Sequence, residues 1–135
     1  NTYYNDYFGI SFTVPNGWTV ATRAQIQQIF GEAAKALSSS LDQTKVLYLT
    51  LVTKNALGTA ENPNINMVAE NISGAASIKT PSDYLEASKA LLKQTANGYT
   101  FDDINTTTLS GSEFAIMHMK VDYQGKETYQ TQICT

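Results

Sequence analysis

Hydrophobic and polar positions alternate from the start of the chain. Phe8, Ile10, Phe12 and Val14 interleave with Gly9, Ser11 and Thr13, the two-residue period of a half-buried strand. The spacing predicts a strand over residues 3–14. It ends at Pro15, which cannot donate to a ladder. Asn16-Gly17 then supplies a turn, and Trp18, the only tryptophan, folds back as a large apolar plug. From there the period changes. Ile26, Ile29, Phe30, Ala33 and Leu37 recur at helical spacing and predict a helix over about 23–37 with one apolar stripe. Thr22 and Gln25 stand at capping-box spacing before it, and Ser38-Ser39-Ser40 ends it.

Residues 45–54 return to strand character. Leu47, Leu49 and Leu51 point one way, Val46, Tyr48 and Val52 the other, as in a central strand covered on both faces. Leu57 to Asn64, with Gly58 and Pro63, reads as a loop. Residues 65–73 form another strand, with Ile65, Met67, Ala69 and Asn71 on one face and Val68 and Ile72 on the other. The second helix is the best marked. Thr80 is its N-cap, Pro81 its first residue, and Asp83 completes the box. Tyr84, Leu85, Ser88, Leu91, Leu92 and Thr95 form its inner stripe, Glu86 and Lys89 pair outside, and Asn97-Gly98 stops it. Tyr99 to Thr108 is a further strand. Glu113 to Tyr123 and Lys126 to Thr135 form a hairpin across Gln124-Gly125, with Ala115, Met117, Met119, Val121 and Tyr123 on one face. The short connections favour antiparallel pairing, and the class is α+β.

A chain of 135 residues with no internal repeat is one domain with a core of useful size. A net charge of −3 without any Lys/Arg cluster argues against a nucleic-acid binder and against attraction to anionic membranes. The longest near-continuous apolar run, Val46 to Val52, is far short of the ~20 residues of a membrane span. Charged residues make up only 16% of the chain, leaving Thr, Ser, Asn and Gln to carry the polar surface, as in exported bacterial proteins. The first residue is Asn1 rather than Met, which fits either a processed protein or a trimmed piece of one. Cys134 is the lone cysteine, so no internal disulfide forms. It reads either as a dimer-forming thiol or as a small buried hydrophobe on the last strand.

Candidate chemistry is sparse. His118, the only histidine, shares a strand face with Lys120 and Asp122, and Ser112 is close in sequence. A nucleophile, base and orienting acid are thereby present by type. No strained elbow or glycine-rich oxyanion segment accompanies any serine, so no catalytic residue is assigned. One histidine and one cysteine cannot make a structural zinc site. Asp102, Asp103 and Asn105 lack the ladder of a calcium loop and read as a solvated turn. Gly58-Thr59 and Gly111-Ser112 are not phosphate loops. Asn71 and Asn105 each open a glycosylation triplet, which has meaning only in a eukaryotic secreted protein. Met117 and Met119 read as core. Tyr3, Tyr4 and Tyr7 read either as a recognition patch or as packing over the sheet end. No cofactor and no metal follow from these residues.

The run Phe8-Gly-Ile-Ser-Phe-Thr-Val-Pro-Asn-Gly-Trp18 resembles the N-terminal signature of PsbP-like domains. That family is named for the extrinsic subunit of the oxygen-evolving photosystem, and a Ran-binding nuclear import factor shares its fold. Bacterial exported lipoproteins have similar openings. The likeness in residues covers about the first 20, and the order of elements is compatible over most of the chain. It implies a single PsbP-like domain over 1–135: an α/β/α sandwich whose mainly antiparallel sheet has helices on both faces. It implies a non-catalytic role in binding or assembly, at the cell surface or outside the cell, with a protein or cell-envelope component as partner and dimerisation left open. No functional residue carries over, because Phe8, Ile10, Phe12, Pro15, Gly17 and Trp18 are structural positions. Such domains continue with a further strand and a C-terminal helix. Here either the natural chain runs past Thr135, or a partner or second copy covers that end. The competing class is a small-ligand carrier or enzyme of cystatin-like or nuclear-transport-factor-like fold, with a pocket between helix and sheet.

Overall fold

The computed structural model describes residues 1–36, 45–95, 98–123 and 125–135. The expected end of the first helix at Leu37 to Ser40, Asn97 of the second helix stop and Gln124 of the last turn lie outside the described residues. Helix and sheet are mixed, every strand pairing is antiparallel, and the chain divides into two compact units, Asn1–Asn71 and Ile72–Thr135.

In the first unit the opening stretch is a hairpin rather than a single strand. β1 (Thr2–Asn5) pairs with β2 (Ile10–Thr13) around Asp6 to Gly9. Asn5 Oδ1 accepts from the Phe8 amide at 3.2 Å, and Gly9 takes φ +62°, the two devices that let a short loop reverse the chain. Tyr3 packs on Phe12 across the pair, with ring centroids 5.6 Å apart. Val14 is buried, while Phe12 and Trp18 are half-buried and Phe8 is 39% exposed. The tryptophan is therefore no core plug. After it comes a two-residue strand that the periodicity did not reveal, β3 (Thr19–Val20).

α1 (Arg23–Ala36) starts on the expected box: the Thr22 amide donates to Gln25 Oε1 at 2.8 Å, and the Gln25 amide donates to Thr22 Oγ1 at 3.3 Å. The sheet order is β3-β4-β5, with β4 (Val46–Thr53) central and β5 (Asn64–Glu70) at the edge. The β4–β5 register shifts between Tyr48 and Thr50, so Leu49 is a bulge that changes which residues face the helix. Tyr48 and Leu51 thereby reach the same side. Leu51 joins Ala21 and Ile26 in the core with Phe30 and Tyr48 packed against it, the last two rings stacked 4.1 Å apart. Ile29 lies off this stripe, 37% exposed. Beyond the bulge, Thr50 and Val52 are also fully buried, so this half of β4 is enclosed on both sides, whereas Leu47 is 45% exposed.

Among the described residues the second unit has one helix and one sheet. α2 (Pro81–Thr95) opens on a reciprocal box: Asp83 Oδ2 accepts from the Thr80 amide at 3.0 Å, and the Asp83 amide donates to Thr80 Oγ1 at 3.1 Å. The Lys79 amide also donates to Asp83 Oδ2. That bond first, then the Thr80 hydroxyl and amide, hold the carboxyl below its ordinary pKa. The ionised cap therefore supports the helix above the unfolded-state pKa and is lost as pH falls through the folded one. Leu85 is fully buried and Leu92 packs beside it. Leu91 is 50% exposed, because it sits roughly 120° around the helix from Leu85 whereas Leu92 returns to the same side. Lys89 does not pair with Glu86; its Nζ and that of Lys93 lie 5.9 and 5.7 Å from the Phe101 ring centroid.

The sheet is built on β8 (Ser112–Tyr123). One of its edges takes two strands in line, β7 (Asn105–Leu109) and β6 (Tyr99–Phe101); the other takes β9 (Lys126–Cys134). The expected single strand from Tyr99 is thus interrupted at Asp102 to Ile104. Ala115, Met117 and Met119 are buried under Leu85, with Tyr99, Phe101, Ile104 and Cys134 around them. Cys134 Sγ donates to the Pro81 carbonyl at 3.0 Å, and burial raises its thiol pKa, which favours the small buried hydrophobe of the two readings.

Gly98 follows α2 with φ +89°, and a Cβ there would stand 2.5 Å from the Asp122 carbonyl oxygen. Gly31, inside α1, has open space around the same position. Gly98→Ala is expected to destabilise the protein by about 1–3 kcal/mol, while Gly31→Ala stabilises it by about 0.5–1 kcal/mol, both measured by urea unfolding. In the same assay Leu85→Ala costs about 2–5 kcal/mol, and Trp18→Ala costs less because its side chain is only half-buried.

Candidate binding surface

The alternation of β8 decides the site. Its odd-numbered residues go under α2, so its even-numbered ones form the opposite face, which among the described residues carries no helix of its own unit. Antiparallel register extends that face sideways. Ile116 stands opposite Ile133, His118 opposite Thr131, Lys120 opposite Tyr129 and Asp122 opposite Glu127, while Phe114 stands opposite Thr107. Phe114 and Ile116 are half-buried, Ile133 is 58% exposed and Tyr129 74%.

Polar side chains on this face bond to one another. Lys120 Nζ donates to Glu127 Oε1 at 2.6 Å, and Tyr129 Oη donates to Glu127 Oε2 at 3.1 Å. His118 Nδ1 shares a 2.8 Å hydrogen bond with Thr131 Oγ1. The Lys120 hydrogen bond is the main cause holding Glu127 below the ordinary glutamate range, with Tyr129 second. The same bond raises Lys120. The result is a strip of polar groups with fixed orientation, bordered by aliphatic and aromatic surface.

The grouping that raised catalysis does not assemble. Ser112 lies at the far end of β8, six residues or about 20 Å of extended strand from His118. His118 bonds to Thr131, Lys120 to Glu127, and Asp122 Oδ1 accepts from the Gly125 amide at 2.9 Å in the hairpin turn. Asp102 and Asp103 occupy the interruption between β6 and β7, where the Asp102 amide donates to the His118 carbonyl and Asn105 Nδ2 to the Asp103 carbonyl. Among the described residues no three His, Cys, Asp or Glu side chains cluster so as to hold a metal ion, and no helix is long and apolar enough to cross a membrane.

Two other surfaces stand in the first unit. The hairpin exposes Tyr7 (90%) at its tip and Tyr4 (70%) on β1, with Tyr7 edge-on to Phe8, whereas Tyr3 is half-buried on Phe12. A cleft of about 240 Å³ opens between the first turn of α1 and the end of β4, lined by Thr19, Ala21, Gln25, Thr53, Ala56 and Leu57. Among the described residues no ionisable side chain lines it. Gln25 already accepts from Thr22, and Thr53 Oγ1 already donates to the Asn55 carbonyl.

Sequence reasoning reached the even face of β8 through His118 but missed Tyr129, Glu127 and Thr131. The signal lay in the register of the Gly125 hairpin, which sets the partner of each residue once the turn is fixed. Comparison with protein-family models, characterised proteins and solved structures finds no match to this chain.

The Glu127 carboxyl should titrate by carbon-detected NMR below the ordinary glutamate range. Lys120→Met raises that midpoint most and Tyr129→Phe raises it less, following the order of the two hydrogen bonds. The sign follows from linkage. A depressed carboxyl stabilises the fold above its unfolded-state pKa and stops doing so as pH falls through the folded value; a raised amine stabilises below its unfolded-state pKa and stops as pH rises through the folded value. The pair is thus lost at both acid and alkaline extremes.

Proposed function

We propose that this chain is a non-catalytic binding or assembly module, related to PsbP-like domains, of an exported bacterial protein at the cell surface or outside the cell, and that the even face of β8 is its contact surface for a protein or cell-envelope component. The observation that carries the reading is the exposed Tyr129–Ile133 surface beside the Lys120–Glu127 and His118–Thr131 hydrogen bonds. Exposed aromatic and aliphatic groups supply contact area at low entropic cost, and pre-bonded polar groups orient a partner without further ordering. The PsbP-like reading draws support from the mixed helix and antiparallel sheet and from the Phe8 to Trp18 run, while the even face of β8, bare of any helix of its own unit among the described residues, departs from a sheet covered by helices on both faces.

The carrier reading rests on the cleft beside α1. It ranks second because its volume falls below the ~300–1,000 Å³ of small-molecule sites and two of its polar groups are already engaged.

Immobilised chain incubated with cell-envelope material should retain one component. The double variant Tyr129→Ala/Ile133→Ser should weaken that retention by about 30-fold or more, as for loss of interface anchors, while Tyr7→Ala on the hairpin tip leaves it intact. Retention unaffected by the double variant, or robust turnover of a substrate that His118→Ala abolishes, sinks the proposal.

A further inference from the structure

β9 is the outermost strand of its sheet. Its register with β8 runs from Ala115↔Cys134 to Tyr123↔Lys126 with no bulge, and its outer edge pairs with no other strand among the described residues. Every residue from Lys126 to Thr131 is exposed. A free edge offers unpaired amides and carbonyls to any other strand, and proteins blunt such edges with proline, bulges, mid-strand lysines or short length. β9 has none of these. It is nine residues long with no proline or glycine, and its only charges, Lys126 and Glu127, sit side by side at one end and cancel. Thr128 to Ile133 is uncharged and rich in β-branched and aromatic residues, the composition that favours strand–strand association.

The other edges differ. β6 and β7 are broken apart at Asp102 to Ile104, with two aspartates in the gap. β5 pairs with a strand bent by the Leu49 bulge, and it carries Asn64, Asn66 and Glu70. Of the longer edges, β9 alone combines an unbroken register, no net charge and no guarding residue at its centre among the described residues.

We propose that this edge pairs with the same edge of a second copy of this chain, antiparallel about a two-fold axis at Gln130. Sheet faces stay matched across such a pair only when residues of like parity meet. Among those registers, the one centred on Gln130 engages the whole strand. It sets Tyr129 opposite Thr131 and Thr128 opposite Gln132, aromatic–β-branched and hydroxyl–amide pairs of the kind that stabilise sheets. Lys126 then faces Cys134 and Glu127 faces Ile133, so no charge meets its like. It is this self-complementarity, with Tyr129 and Thr131 meeting twice and no like charges opposed, that points to a second copy as the occupant. The two-fold closes the assembly at a dimer. This inference stands apart from the proposed partner role: a chain that dimerises without binding envelope material and one that binds as a monomer are distinct results.

Analytical ultracentrifugation between about 1 μM and about 1 mM, the range of weak protein association, tests it on the full chain. The expected result is a monomer–dimer equilibrium, weakened at least about tenfold by Gln130→Lys, which sets two ammonium groups opposite each other at the axis. Circular dichroism confirms that the variant folds. A second arm does not depend on that variant. In a Cys134→Ser background, Gln130→Cys should form a disulfide-linked dimer under mild oxidation, since residues facing across an antiparallel pair have Cα atoms about 4.5–5.5 Å apart, within disulfide reach. Thr128→Cys, which faces Gln132 rather than itself, should not. A monomer at every concentration, a dimer indifferent to Gln130→Lys, open-ended polymers, or equal cross-linking of the two cysteine variants overturns the proposal.

Discussion

Packing of Leu85 onto Ala115, Met117 and Met119 is the constraint on which the second unit depends. It commits α2 to one face of β8, and the two-residue period of the strand does the rest. Once the odd residues are inside, His118, Lys120 and Asp122 are outside, and the hairpin at Gly125 places Thr131, Tyr129 and Glu127 beside them. Side-chain chemistry on the open face is therefore a by-product of core packing on the other. A one-residue slip of register would reverse it, burying an ion pair and exposing two methionines.

What could be read from the sequence was what is decided locally. Both capping boxes involve residues three apart, so Thr22 with Gln25 and Thr80 with Asp83 were visible without knowledge of the fold, and both form as expected. The buried face of β8 was equally plain, because Ala, Met and Met alternate with Ile, His and Lys. Features set by tertiary geometry were not. The opening hairpin hid behind an alternation that leads back to Phe8, although the reversal itself rests on Asn5 and Gly9. Thr19 and Val20 are too few to carry a period, and the bulge at Leu49 leaves no mark in a run where every residue but Thr50 is apolar.

The candidate site was half legible for a related reason. His118, Lys120 and Asp122 belong to one strand, so their common face follows from parity alone. Their partners come from β9, and pairing them needs the turn register as well. That second step also changes the chemistry. Taken in isolation, His118, Lys120 and Asp122 look like components awaiting a nucleophile; with β9 in place each is hydrogen-bonded elsewhere. The bonded polar groups and the aliphatic and aromatic side chains beside them give this face fixed dipoles and apolar area.

The open face and the unguarded edge share a strand, and that links their consequences. Tyr129 and Thr131 point to the open face. In a pairing about Gln130 each would lie next to the other's copy across the axis, so the two open faces would join into one continuous surface while the two helices remained on the opposite side. Contacts presented twice on a rigid sheet gain from effective concentration rather than from any new bond, and a weak contact at each copy then suffices for firm attachment to a repetitive surface. Such geometry also accounts for an edge left without a lysine or a bulge at its centre: guarding it would separate the two halves of the surface that its neighbouring face provides.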